Sequence, residues 1–137
     1  VWCSKLQSTL ALSSTEAEYI SLSTSMREVI YMINLLQELR ENKVALPEQK
    51  TPKIKCRVFE DNAGAIELAK LPKLRPRTKH LAIQYHHFRS WTARGLNGEE
   101  PKVQVTYINT KEQQADIFTK PLPRVQFQYL RRKLIGW

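Results

Sequence analysis

Leu22, Met26, Val29, Ile33 and Leu36 recur at intervals of four, three, four and three residues, which lays them along one face of a helix. Ser13-Ser14-Thr15-Glu16 comes just before them, with hydroxyls suited to an N-cap and an acid suited to a first turn. The pattern predicts a long helix over residues 15–41. Ahead of it, residues 1–12 are rich in β-formers and predict a strand. Residues 42–53 hold two prolines among charges and predict a loop.

The alternation of residues 54–59 predicts a second strand, with Ile54, Cys56 and Val58 on one face. It stops at Glu60-Asp61-Asn62, and Ala63, Ile66, Leu68 and Ala69 then mark a short helix. Pro72 and Pro76 bracket a basic loop. A further helix is predicted over residues 79–93, carrying Leu81, Ile83, Tyr85, Phe88 and Trp91. Residues 103–108 alternate like a strand. A short helix near Lys111 is stopped by Pro121 and Pro123, and an amphipathic helix follows over residues 124–134. Strands alternating with helices indicate a single α/β domain over residues 1–137 with a partly parallel sheet. Three strands make a thin sheet, and the chain opens without Met on an apolar VWCSK, so a segment ahead of Val1 is expected.

Composition adds a partner class. Lys and Arg number 22 against 13 acids, a net charge of +9, while 42% of the 137 residues are hydrophobic. That is enough apolar material for a core, and the surplus of positive charge points to a polyanion, above all nucleic acid. Cys3 and Cys56 are far apart with no CxxC, which excludes a disulfide scaffold and a cysteine-based zinc site. No apolar run approaches the ~20 residues of a membrane span, and no signal peptide opens the chain. The expectation is an intracellular protein, cytoplasmic or nuclear, with no membrane partner.

Candidate chemistry is sparse. The chain holds two aspartates, Asp61 at the carboxyl end of a predicted strand and Asp116 after the last one. Glu16 and Glu18 lie in the first turn of the long helix. An Asp at a strand end, a helical Glu and a later Asp can converge on one hard cation, and Mg²⁺ needs few protein ligands. Position alone leaves a plainer role open for each: Glu16 and Glu18 complementing the helix dipole, Asp61-Asn62 capping a helix, Asp116 as a first-turn acid.

Between Lys70 and Arg94 there is no acid, and seven Lys and Arg are interleaved with His80, Tyr85, His86, His87 and Trp91. This stretch reads as a phosphate-tracking surface with Arg75, Arg77 and Lys79 as its best contacts, or else as a solvated helix face. His86 and His87 diverge by ~100° on a helix and are poorly placed to share an ion. His80 is the better histidine for a phosphate contact or proton shuttle. Tyr85, Phe88 and Trp91 repeat at threes, as core residues do.

Residues 5–19, KLQSTLALSSTEAEY, resemble the start of the ribonuclease H domain of Ty1/copia-type retrotransposon polyproteins. So do Glu60-Asp61-Asn62 with Ala65-Ile66, Arg77-Thr78-Lys79-His80, and residues 115–123, ADIFTKPLP. The four blocks stand in the family's order and at about its spacing, from Trp2 to the last helix.

The resemblance implies a ribonuclease-H-like mixed sheet flanked by helices, with the first strands missing from this chain. It implies endonucleolytic hydrolysis of RNA in RNA·DNA hybrids by two-metal catalysis with Mg²⁺ (or Mn²⁺). Glu18 rather than Glu16, together with Asp61 and Asp116, map to the catalytic metal ligands. The family's fourth ligand, an Asp on its first strand, would lie ahead of Val1, so the isolated chain is expected to cleave poorly. Arg75, Arg77, Lys79 and His80 are the expected nucleic-acid contacts. An upstream reverse transcriptase segment or a larger assembly is the expected protein partner. The alternative is a catalytically dead remnant kept as a nucleic-acid-binding or structural subunit.

Overall fold

Helix α1, Ser14–Glu41, begins where Ser13 caps it, the Ser13 hydroxyl accepting the Glu16 N–H at 3.1 Å. The computed structural model of the protein describes residues 7–42, 54–70, 83–95 and 98–137. Of the predicted stripe along α1, Leu22, Met26 and Ile33 are buried, joined by Tyr19, and Val29 is half-buried. Beyond Ile33 the same helix exposes Leu35, Leu36 and Leu39.

Strand β1, Cys56–Glu60, leads into α2, Ala63–Lys70, and the chain returns to strand β2, Val103–Tyr107. The two strands pair in parallel, in register from Cys56 opposite Val103 to Glu60 opposite Tyr107. The Ile108 N–H extends the pairing to the Glu60 carbonyl at 3.0 Å. Alternation along β1 turns Cys56, Val58 and Glu60 toward the helices and leaves Arg57 and Phe59 on the other face. Tyr19, Met26, Phe88 and Val103 form the fully buried centre, joined by Ala65 and Ala69 of α2. Small residues let α2 lie close to α1. A Cβ on Gly64 would stand 2.8 Å from Thr15 Cγ2, so only glycine permits this approach without a shift. The architecture is mixed α/β, with a small two-stranded parallel sheet among the described residues.

Two expectations need correction. The helix predicted over residues 79–93, of which 79–82 lie outside the described residues, is broken from residue 83 on: residues Ile83–His86 form a 3₁₀ turn, and a single α-helical turn, α3, follows at Arg89–Thr92. The spacing of Tyr85, Phe88 and Trp91 at threes suits three residues per turn better than 3.6. Contacts to α1 hold this form, since Tyr19 Oη bonds His86 Nδ1 at 2.8 Å and Ser23 Oγ bonds His87 Nδ1 at 3.5 Å. The second concerns the strand predicted over residues 1–12. Residues 7–12 are irregular, and residues 1–6 lie outside the described residues. The Leu12 N–H donates to the Glu16 carboxylate at 2.9 Å, and Thr9 Oγ1 meets Tyr85 Oη at 2.5 Å, so side chains take the place of a ladder partner. The loop expected over residues 42–53 is described only at Asn42.

After β2, 3₁₀ turns at Thr110–Glu112 and Gln114–Phe118 lead to α4, Arg124–Ile135. Leu130 is the buried anchor of α4. Gly136, at φ +81°, closes the helix in the left-handed region, donating its N–H to Arg132. Among the described residues no helix is long and apolar enough to cross a membrane.

Candidate metal centre

β1 ends at a carboxylate pair. Glu60 is the last strand residue and faces inward, and Asp61 follows at the carboxyl end of the sheet. The close packing of α1 on α2 brings Glu18 to the same place. Carboxylate oxygens of Glu18, Glu60 and Asp61 lie within 4.8 Å of one another. Asp116, on the 3₁₀ turn at Gln114–Phe118, is buried and near enough for its charge to act on Glu18. The structure therefore brings Glu18 of α1 and Asp61 at the end of β1 together, and Asp116 stands outside that 4.8 Å group, acting on Glu18 through its charge.

Neighbouring side chains take up the plainer roles. Glu16 is buried at the helix start, its carboxylate bonded to the Leu12 N–H. Asn62 caps α2, its side-chain oxygen accepting the Ala65 N–H at 3.1 Å, which leaves Asp61 clear of that task. Thr15 Oγ1 also reaches Asn62 at 3.4 Å and ties the two helices at the site.

The electrostatics are those of crowded acids. Burial pushes the Glu18 carboxyl above its ordinary value, and the charges of Asp61 and Asp116 push it further. Glu60 is pushed up to about 7, first by burial and then by Glu18 and Asp61, although the Asn62 N–H bonded to it at 3.0 Å pulls the other way. Lys120 is paired with Asp116 at 2.8 Å. The hydrogen bond to Asp116 holds its ammonium above the ordinary lysine range. Among the described residues, four carboxyl groups share the Lys120 ammonium, which leaves a deficit of positive charge. A set made wholly of carboxylate oxygens is what Mg²⁺ or Mn²⁺ prefers. The donor set fits such an ion.

In the sequence Glu60 reads only as the end of a strand, and its place in the cluster is a finding of the structure. The signal is nonetheless present, because alternation from Cys56 and Val58 places residue 60 on the inward face beside Asp61.

Arg75, Arg77, Lys79 and His80 lie outside the described residues. Arg89 of the same basic run turns inward, donating Nε–H to the Tyr19 hydroxyl at 3.0 Å. The described cations gather elsewhere. A groove of about 1160 Å³ between the sheet and the ends of α2 and α3 is lined by Lys55, Arg57, Lys70, Arg94 and Lys102, with Glu100 as its acid. Phe59, 48% exposed, lines the same groove.

No family model and no solved structure matches the chain. Curated polyproteins do. The chain is 37% identical over 133 residues to the retrovirus-related Pol polyprotein from transposon RE2 of Arabidopsis thaliana, covering 97% of this chain and 8% of that protein. It is 36% identical over 135 residues to the corresponding polyprotein from transposon TNT 1-94 of Nicotiana tabacum, covering 98% and 9%. The polyprotein from transposon RE1 of Arabidopsis thaliana is 36% identical over 133 residues, covering 97% and 8%. The chain spans less than a tenth of the length of these relatives. Its homologues are retrovirus-related Pol polyproteins of plant transposons, each matched over nearly the whole of this chain.

Proposed function

We propose that this chain is the greater part of the ribonuclease H domain of a copia-type retroelement polyprotein, and that it acts on the RNA strand of RNA·DNA hybrids. The observation that carries the reading is the meeting of Glu18 and Asp61 oxygens at the carboxyl end of β1, beside a buried Asp116. A two-stranded parallel sheet with helices packed against one face is compatible with that fold. Homology to transposon Pol polyproteins supplies the context.

In this reading Glu18, Asp61 and Asp116 hold Mg²⁺ or Mn²⁺. Bound there, the ion would supply an activated water and neutralise charge developing on the phosphate. The protein's own contribution is placement. The Asn62 cap and the Gly64 approach fix Asp61 against Glu18, and the turn at Gln114–Phe118 fixes Asp116. Arg75, Arg77, Lys79 and His80 are the proposed contacts to the nucleic-acid backbone, and the groove beside Arg57 and Lys102 offers a second cationic surface for it.

The test is cleavage of end-labelled RNA annealed to DNA, with Mg²⁺, by the chain alone and fused behind the preceding segment of a plant-transposon polyprotein. The chain alone should be nearly inactive, because the resemblance places a fourth carboxylate in that segment. A missing ligand that costs only ~4 kcal/mol already means about a thousandfold. The fusion should cleave, and Asp61→Asn should abolish that activity, since an amide oxygen is a far weaker ligand for Mg²⁺. A correctly folded fusion without activity would favour the remnant reading, in which the chain binds nucleic acid or supports an assembly without chemistry.

A further inference from the structure

The acidic cluster already holds one positive charge of its own. Lys120 Nζ lies 2.8 Å from Asp116 Oδ1. The same ammonium is near enough to Glu18, Glu60 and Asp61 to offset part of their mutual repulsion. Backbone geometry sets its place. The Lys120 N–H donates to the Asp116 carbonyl at 2.9 Å, and the Thr119 N–H reaches the same oxygen at 3.2 Å. Pro121 then ends the turn, with its φ fixed and no N–H to offer. The two partners differ in exposure: the Asp116 side chain is 9% exposed and that of Lys120 43%. The carboxylate is held in the interior while the ammonium has a route to solvent.

We propose that Lys120 is a built-in counter-ion, which holds Asp116 while no metal is bound and must be displaced before Asp116 can ligate a divalent cation. The inference rests on reading Glu18, Asp61 and Asp116 as metal ligands. Lys120 then does two opposed things. It relieves repulsion among carboxylates that the fold has pressed together, which stabilises the metal-free chain. It also repels the incoming ion and occupies one of its ligands, which weakens divalent binding. Lys120 is a positioning and competing group in this scheme and takes no part in bond-making.

Calorimetric titration of Mn²⁺ into the metal-free chain tests this without reference to activity. Lys120→Gln should bind Mn²⁺ about tenfold more tightly than wild type, the size expected for removing one partly screened charge from beside the ion. Lys120→Arg, which keeps the charge, should bind like wild type. In chelator Lys120→Gln should melt below wild type, and saturating Mn²⁺ should close that gap. Unchanged affinity in Lys120→Gln, with binding lost in Asp61→Asn, would overturn the counter-ion and leave the ligand assignment standing. No Mn²⁺ uptake by wild type or by Lys120→Gln would overturn the ligand assignment itself. If Lys120→Gln does not fold, the wild-type chain still decides. The ¹⁵N resonance of Lys120 Nζ should move with the same midpoint as Mg²⁺ uptake, and a stationary resonance during uptake would overturn the proposal.

Discussion

Replacing Glu60 by Gln probes the crowding of the carboxylates while leaving the proposed metal ligands intact. Glu60 is only 6% exposed. Its neighbours are Glu18 from α1, the adjacent Asp61, and the ammonium of Lys120. Burial is the main cause of the rise from 4.5 to about 7. A folded-state value above the unfolded one means that the folded chain binds this proton more tightly. The stabilisation it brings is full below about pH 4.5 and is lost as pH rises through about 7. A shift from 4.5 to about 7 sets a ceiling of about 3 kcal/mol. Solvent reaching the cluster along Lys120 screens this to about 1–2 kcal/mol. Gln keeps an oxygen to accept the Asn62 N–H and never ionises. In urea denaturation with chelator, Glu60→Gln should therefore match wild type near pH 4, below the unfolded value, and exceed it by about 1–2 kcal/mol near pH 8. Taking the variant-minus-wild-type difference cancels contributions common to both proteins. Saturating Mg²⁺ should narrow the gap at the higher pH, because a cation relieves the same repulsion. A variant equally destabilised at both pH values would refute the reasoning.

Two other perturbations test the surroundings of the centre. Tyr19→Phe removes a fully buried hydroxyl that bonds both Arg89 and His86, and should cost about 1–3 kcal/mol in chemical denaturation; a loss below about 0.5 kcal/mol would show that these bonds contribute little. Reversing Arg57 and Lys102 to Glu together should weaken binding of an RNA·DNA hybrid and make its logarithmic salt slope shallower by about one for each phosphate no longer neutralised, and the same change at Arg75 and Arg77 in parallel shows which surface carries more; affinity unmoved by either pair would remove both from the account.

Much of this organisation is legible in the residues. The four-and-three spacing from Leu22 to Ile33, capped by Ser13, already outlines α1, and the alternation around Val58 and Val105 outlines the paired strands. What stays hidden depends on contacts distant in sequence. The break in the helix at residues 83–92 is held by Tyr19 and Ser23, some 64 and more positions away. The irregular path of residues 7–12 depends on bonds to Glu16 and Tyr85. Spacing leaves the choice between Glu16 and Glu18 open, because both suit a first helical turn. In the folded chain the Leu12 N–H engages Glu16 and leaves Glu18 to face Asp61.

The pairing of Glu60 with Tyr107 has a consequence for misfolding. Side chains in a strand change faces at every step, so a slip of β1 by a single position would exchange Glu60 for Phe59. The acid would then leave the cluster for the other face of the sheet, and a phenyl ring would be driven among the remaining carboxylates. Such a species would keep its helices and most of its compactness while having no cation site at all. The Ile108 N–H bonded to the Glu60 carbonyl, one step past the strand, is placed where it opposes that slip. It acts as a latch on alignment, so the placement of the carboxylates and the fidelity of folding depend on the same hydrogen bond.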